Sequence, residues 1–401
     1  MATPTESRNA PLTGIRVLDF GRYVAGPYCA TLLGYLGADV IRIERREGGE
    51  DRYIAPLAGT GEGGVFLQTS CNKRSLTLDP KHPRAKEIMQ RLVKSADVVV
   101  ANLPPRALKS LGLDLDSLRA IRPDIVLATQ TGFGTRGPWA EKGGFDGVGQ
   151  VMSGAAFMTG TPGRPAKAAA PYVDYATAVL SAFGVLAALL QRQRTGQGQQ
   201  VESALLGTAL AVFNSHLVEQ GVADLNRVPS GNRVQTSGPS DVFATRDSHV
   251  LTHVIGNAVF HRCAKLIGAE VWITDPRLQS DQARGDHREE LCAPMATWCA
   301  ARTTDQALAE LEQAGVPAGP VLNLQQVLDH PQVAAMEFLK PVQFPGLPRA
   351  APVADIPLRF SGMDAGISSP PPTLGEHTRA VLGELGYAAA EIEQLLADRV
   401  V

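Results

Sequence analysis

Between Tyr175 and Leu190 no charge interrupts the run YATAVLSAFGVLAALL. The run is too long and too rich in Ala and Leu for a strand, so it predicts a helix. It is apolar nearly all round, which predicts burial. Gln191, Arg192 and Arg194 make the end of the run cationic, and Gly196 supplies a stop. One acid, Asp174, stands just before the run and is predicted to be its N-cap. Two readings of that carboxylate follow. It is a cap, accepting a backbone N–H bond worth ~1 kcal/mol. Alternatively it is a nucleophile, kept ionised by the free N–H groups and the dipole of the helix end. Local pattern leaves both open.

The stretch before this helix alternates between short apolar runs and helical patterns. Strands are predicted at Ile15–Phe20, Asp39–Ile43 (ending in Glu44), Ser75–Leu78, Asp97–Ala101 and Ile125–Thr129. Helices are predicted through CATLLGYLG, with Pro27 at the first helical position, and at His82–Lys94. Such alternation opens a doubly wound α/β domain, whose ligands bind beyond the carboxyl ends of the strands. Arg45, Lys81, Asn102 and the loop GFGTRGP from Gly132 to Pro138 all fall at such ends. The turn GRYVAGP lacks the G-x-G-x-x-G spacing of a dinucleotide site. Arg42, Arg45 and Arg46 around Glu44 suit a phosphorylated or acidic ligand better than a ribose, or else form local ion pairs.

Composition narrows the class. In 401 residues, 38 basic and 40 acidic side chains nearly balance, which gives no electrostatic footprint for nucleic acid or a membrane surface. MATPTESRNAPLTG has no apolar leader core, and no apolar run reaches membrane-spanning length without Gly, Ser or charge. Five scattered cysteines fit reduced thiols and a cytoplasmic location, with no disulfide frame or zinc spacing. Cys29 lies in an apolar helical pattern and reads as core. His249, His253 and His261 lack ligand spacing and read as a hairpin face and a helix surface. Neither a nucleophile elbow nor a phosphate-binding P-loop is present.

After the Asp174 helix a further helix is expected beyond Gln199, followed by the Gly/Ser/Pro linker VPSGNRVQTSGPS. Strands at Asp241–Ala244 and Val250–Ile255, with helices at Ala258–Ile267, Arg288–Ala301 and Asp305–Ala314, predict a smaller α+β domain. Ala350–Pro372 is proline-rich and extended, and a helical pair from Glu376 to Asp398 closes the chain. The expected domains are residues 1–227, 228–330 and a return segment, 331–401, that completes the first.

With these segments placed, the chain resembles the class III CoA-transferases, the family of formyl-CoA:oxalate, carnitine and bile-acid CoA-transferases. The likeness is a series in order: LTGIRVLDFGRYVAGP, LGADVIRIERR, NKRSLTLD, ADVVVANLPP, GFGTRGP, GFD followed by GQVMSG, VDYATAV, RTGQGQQVE, GNR, AGVPAGPV, LGEHT and a final RVV. The resemblance implies an α/β fold with a Rossmann-like large domain built from both chain ends, a smaller α+β domain, and an interlocked homodimer. It implies Asp174 as nucleophile, with coenzyme A and acyl-CoA as substrates and no permanently bound cofactor or metal. The partners would be an acyl-CoA donor and a small carboxylic acid acceptor, succinyl-CoA and a small dicarboxylate being the expected pair. Carried across by motif, the CoA-contacting positions are Val24, Ala25, Arg45, Leu78, Lys81, Asn102 and Leu103. Gly143, Gly144, Phe145 and Asp146 fall near the thioester.

The chain also departs from its likenesses. Val24 replaces the first-turn glutamine of formyl-CoA transferases, and the polyglycine lid is missing. The α-methylacyl-CoA racemases, which share the implied fold, pair Asp with a His in a G-H-D context. Here that context reads Gly144-Phe145-Asp146, and Phe145 offers no acid/base group. A transferase is therefore expected, with a racemase or a CoA-binding protein without turnover as alternatives.

Overall fold

The computed structural model describes residues 10–57 and 61–401. The first nine residues, part of the N-terminal stretch read above as leaderless, lie outside the described residues. The chain divides into two compact units. One gathers the described residues up to Ser153 with Ala168–Ser215 and Pro331–Val401, and the other gathers Gly154–Lys167 with His216–His330.

The first unit begins β1 (Arg16–Asp19), α1 (Ala25–Tyr35), β2 (Asp39–Glu44), α2 (Gly64–Thr69), β3 (Lys73–Thr77), α3 (Ala85–Ser95) and β4 (Val98–Ala101). It continues α4 (Pro105–Ser110), α5 (Leu115–Ile121), β5 (Val126–Thr131) and α6 (Asp146–Met152). After the short α7 (Ala155–Thr159) of the second unit come α8 (Tyr172–Thr195), β6 (Gln200–Ala204) and α9 (Leu205–Ala223), whose residues from His216 on belong to the second unit. The six strands form one parallel sheet in the order β3-β2-β1-β4-β5-β6. That order reverses between β1 and β4, which opens a crevice at their carboxyl ends.

Alternation along each strand sorts the core into two layers. Leu18, Ile41, Val99 and Leu127 face a layer closed by Ile88 and Leu92 of α3 and by Val381, Leu382 and Leu395 of the C-terminal helices. Val17, Val40, Val98, Val100, Val126 and Ala128 face Cys29, Ala30 and Leu33 of α1 and Ala178, Ala182, Val185 and Leu189 of α8. Parallel strands buried on both faces need such near-continuous apolar runs. The final Val400 and Val401 join the first layer, and the carbonyl of Val400 accepts the N–H of Asp79 at 2.8 Å. The expected Cys29 core role holds, since burial pushes its thiol far up.

Several local expectations need correction. Gln200–Ala204, read as leading into a helix, is the sixth strand, pairing Gln200–Ala204 with Leu127–Thr131. Its polar residues Gln200, Glu202 and Ser203 hid it, because it is an edge strand and escapes the burial demand of the inner four. Pro27 is the third residue of α1 rather than the first, still within the turn whose N–H groups lack helical partners. The helix α8 is long and apolar enough to cross a membrane by length and composition alone. In this unit it packs on α1, β5 and β6, yet only one face is covered: Val179, Leu180 and Phe183 are exposed. The Ala350–Pro372 stretch contains a strand, Ala351–Ala354, which pairs antiparallel with Leu339–Val342.

The second unit holds an antiparallel sheet of Asp241–Ala244, His249–Thr252 and Ala318–Pro320. The helices Asn257–Leu266, Arg288–Ala300 and Thr304–Gln313 pack over it around Phe260, Trp272 and Met295.

Candidate active site

Asp174 is the third residue of α8, not its N-cap. Pro171 holds the cap position and makes no side-chain cap bond. The capping is done from another element. Asp146, first residue of α6, accepts the backbone N–H of Val173 at 2.8 Å and of Asp174 at 3.3 Å through Oδ1. Its Oδ2 accepts from Gln150 Nε2 at 2.6 Å, and Gln150 Oε1 accepts the N–H of Ala168 at 2.8 Å. Asp146 is thereby buried and absorbed in structure.

This frees the Asp174 side chain to face a cleft of about 180 Å³ at the crevice between β1 and β4. No hydrogen bond to its carboxylate exists among the described residues. Burial, and then the charge of Asp146, push its carboxyl up to about 7. That reverses the expectation of a carboxylate held ionised by the helix end. The N–H groups that would stabilise the anion are engaged by Asp146, and the apolar surroundings favour the neutral form.

The expected contacts gather largely as the strand ends dictate. Val24 and Ala25 open α1 and line the Asp174 cleft with Asn102 and Leu103 from the end of β4. Gly143, Gly144 and Phe145 complete its rim, whereas Asp146 is excluded from the lining. Gly132 and Gly144 set how close this rim comes: a Cβ on Gly132 would stand 2.9 Å from the Gly144 Cα, and one on Gly144 3.0 Å from the Gly132 Cα. Phe145 packs edge-on against Tyr23, ring centroids 5.3 Å apart. Asn102 is first a brace, its side chain accepting the N–H of Arg22 at 2.7 Å and donating to the Arg22 carbonyl at 2.6 Å.

A second cleft of about 590 Å³ adjoins the first, with Arg22 and Leu103 common to both. Arg45, Arg46, Leu78 and Lys81 line it. Arg45 and Lys81 are exposed, with Arg45 only loosely paired to Glu50 at 3.6 Å, so both cations are available to an anionic ligand. Of the two readings of Arg42, ligand-facing or locally ion-paired, the second holds. Arg42 is buried and bonded to Asp51 at 2.8 and 2.9 Å, with Glu44 at 3.1 Å. Arg52 closes this set at 2.6 Å from Glu44, and these cations hold the Glu44 carboxyl down at about 2 against the cost of burial.

Sequence reasoning missed two lining groups, Lys142 and Gln130, and named Arg22 and Tyr23 as candidate specificity side chains without placing them. Tyr23 takes φ +62 in the β1–α1 turn, an uncommon conformation for an aromatic residue. Lys142 reaches the rim with its ammonium 3.8 Å over the Trp139 ring. Arg22, whose role had no assignment, donates through Nε to Glu50 at 3.1 Å and lies at the junction of the clefts. Gln130 was lost because the β5 strand was ended at Thr129, two residues early, though its alternation with Val126 and Ala128 was legible.

An extended ligand with an anionic end near Arg45 and Lys81 and a reactive carbonyl near Asp174 fits this pair of clefts. The family model for CoA-transferase family III matches residues 12–378. The chain is 33% identical over 98% of its length to a succinyl-CoA–D-citramalate CoA-transferase of Chloroflexus aurantiacus, covering 98% of that protein. It is 32% identical over 96% of its length to a succinate–glutarate CoA-transferase of Agrobacterium fabrum, covering 98% of that protein. A crystal structure of a CAIB/BAIF family protein from Brucella suis superposes with a TM-score of 0.83 at 32% identity, covering 94% of this chain and all of that one.

Proposed function

Because this chain belongs to CoA-transferase family III, we propose that it moves coenzyme A from an acyl-CoA to a free carboxylate through covalent intermediates on Asp174. The observation that carries this reading is an unpartnered carboxylate facing a cleft that adjoins a cationic one. An Asp174 oxygen attacks the thioester carbonyl of the donor, the C–S bond breaks, and CoA leaves as thiolate. The thiolate then attacks the Asp174 carbonyl of the mixed anhydride, releasing the donor acid and leaving an aspartyl-CoA thioester. The acceptor carboxylate attacks that thioester, giving a second anhydride and thiolate again. Attack of the thiolate on the acceptor's carbonyl releases the new acyl-CoA and restores the Asp174 carboxylate.

The raised Asp174 pKa suits this sequence. A carboxylate partly protonated near neutrality is more basic than an ordinary one and a better nucleophile once ionised. The same apolar cleft limits water, which would hydrolyse every intermediate. Arg45, Arg46 and Lys81 would take the phosphates of CoA, with the pantetheine arm passing Arg22 and Leu103. Given relatives named for citramalate and glutarate, the donor would be succinyl-CoA and the acceptor a short dicarboxylic or hydroxy-dicarboxylic acid. A homodimer of the interlocked kind would cover the exposed Val179, Leu180 and Phe183 on α8.

Intact-protein mass spectrometry after brief mixing with a panel of acyl-CoAs tests the reading. A CoA-sized adduct on Asp174, absent from Asp174→Ala, is the expected result. No adduct with any thioester, together with solvent-deuterium uptake at an α-carbon, would overturn it in favour of proton abstraction.

A further inference from the structure

Three polar residues end β5: Thr129, Gln130 and Thr131. Two are accounted for locally. Thr129 Oγ1 accepts from Gln200 Nε2 at 3.1 Å, and Thr131 Oγ1 accepts the N–H of Gly134 at 2.9 Å. Gln130 is not. It is 3% exposed, and neither its Oε1 nor its Nε2 has a hydrogen-bond partner. By the two-residue period of the strand it continues the row of Val126 and Ala128, which pack beneath α1 and α8. An apolar residue would finish that row without cost, whereas a buried amide with both groups unmatched is expensive. Gln130 is also among the residues that line the Asp174 cleft. It stands where the row of core residues gives way to the reactive carboxylate.

We propose that Gln130 is a specificity-determining residue, whose carboxamide receives a carboxylate or hydroxyl substituent on the acyl group bound beside Asp174. The proposal rests on the CoA-transfer reading above. If CoA enters past Arg22 and Leu103 and its thioester meets Asp174, what extends further to the cleft wall is the acyl chain. The cleft is small: about 180 Å³, where a cavity of about 150 Å³ takes a benzene ring. The acyl group is therefore short, and its far end comes within the compass of Gln130. A carboxamide donates to a carboxylate and accepts from a hydroxyl, so it serves both kinds of polar substituent, and a plain alkyl chain satisfies neither of its groups. Sites built to hydrogen-bond a substrate group discriminate strongly against analogues that lack it.

Binding measured apart from turnover tests this. Succinyl-CoA, 3-hydroxybutyryl-CoA and butyryl-CoA are titrated calorimetrically into Asp174→Asn and into Asp174→Asn carrying Gln130→Leu or Gln130→Glu. With Gln130→Leu, affinity for the first two falls about tenfold or more, and butyryl-CoA binds as before or tighter. With Gln130→Glu, succinyl-CoA is lost while 3-hydroxybutyryl-CoA is retained. In otherwise native protein Gln130→Leu raises Tm, since an unmatched amide is removed; a structural glutamine would lower it. An equal change for all three ligands, or none, overturns the proposal. CoA transfer by the native protein is assayed alongside. No transfer with the discrimination intact counts against the transfer reading alone, and transfer without discrimination counts against Gln130.

Discussion

Asp146 Oδ1 accepts the backbone N–H of Asp174, 3.3 Å away and 28 positions on in the chain, so one carboxylate holds the helix on which the other is mounted. The arrangement has two effects. It satisfies the first turn of α8 from outside, leaving the Asp174 side chain without a capping duty. It also sets a negative charge close to Asp174, which adds to the effect of burial in raising its pKa.

The pH–rate profile should report this charge. The acyl-CoA kcat/KM is expected to rise with pH through an apparent pKa near 7, the ionisation of Asp174. Asp146→Asn keeps one acceptor for the helix N–H groups but removes the charge. The limb should move to lower pH while staying above the ordinary aspartate range, because burial is the larger cause. A limb unmoved in Asp146→Asn would show that the charge does not reach Asp174.

Stability should carry the same signature. Asp174 holds its proton in the fold to a higher pH than in the unfolded chain, so its contribution is complete below about pH 4 and is lost as pH rises through about 7. Asp174→Asn, which cannot ionise, should match native stability near pH 3 and exceed it at pH 8 by roughly 3–4 kcal/mol. Denaturant titrations at the two pH values check this.

Loss of the exposed cations should act on binding rather than chemistry. Arg45→Ala and Lys81→Ala are each expected to raise the KM for acyl-CoA about tenfold with little change in kcat, and more weakly at high salt. A fall in kcat with unchanged KM would place CoA elsewhere.

The buried set around Glu44 should govern acid tolerance. Glu44 is depressed to about 2, so its stabilising contribution is full above about pH 4 and disappears as pH falls toward 2. Arg52→Met removes its closest cation, which is also stacked 3.9 Å over the Phe66 ring and bonded to the Pro372 carbonyl. A loss of about 3–5 kcal/mol in chemical denaturation is expected, as for other broken buried pairs.

What the sequence by itself determined was local and periodic. The runs IRVLDF, DVIRIE and DVVVA could be buried only as inner parallel strands, and the uncharged stretch after Asp174 only as a long helix. Order along the chain, with strand ends as the place for ligands, already put Asn102 and the Gly132 loop on the binding side of the sheet, whereas Val24 and Gly143 were placed there only by the family resemblance. The edge strand Gln200–Ala204 escaped because an edge tolerates the polar residues that an inner strand forbids. The tertiary structure alone decided the rest. Whether Asp174 caps or reacts depends on which group reaches the α8 N-terminus, and that is Asp146 on another helix. Arg42 and Arg45 lie three positions apart, yet one is sealed with Asp51 and the other faces solvent. Gln130 reads as an ordinary polar residue until the packing beneath α1 and α8 leaves its amide unmatched. Hydrogen bonding, burial and charge are set by neighbours in space, and the sheet order chooses those neighbours from positions far apart in the chain.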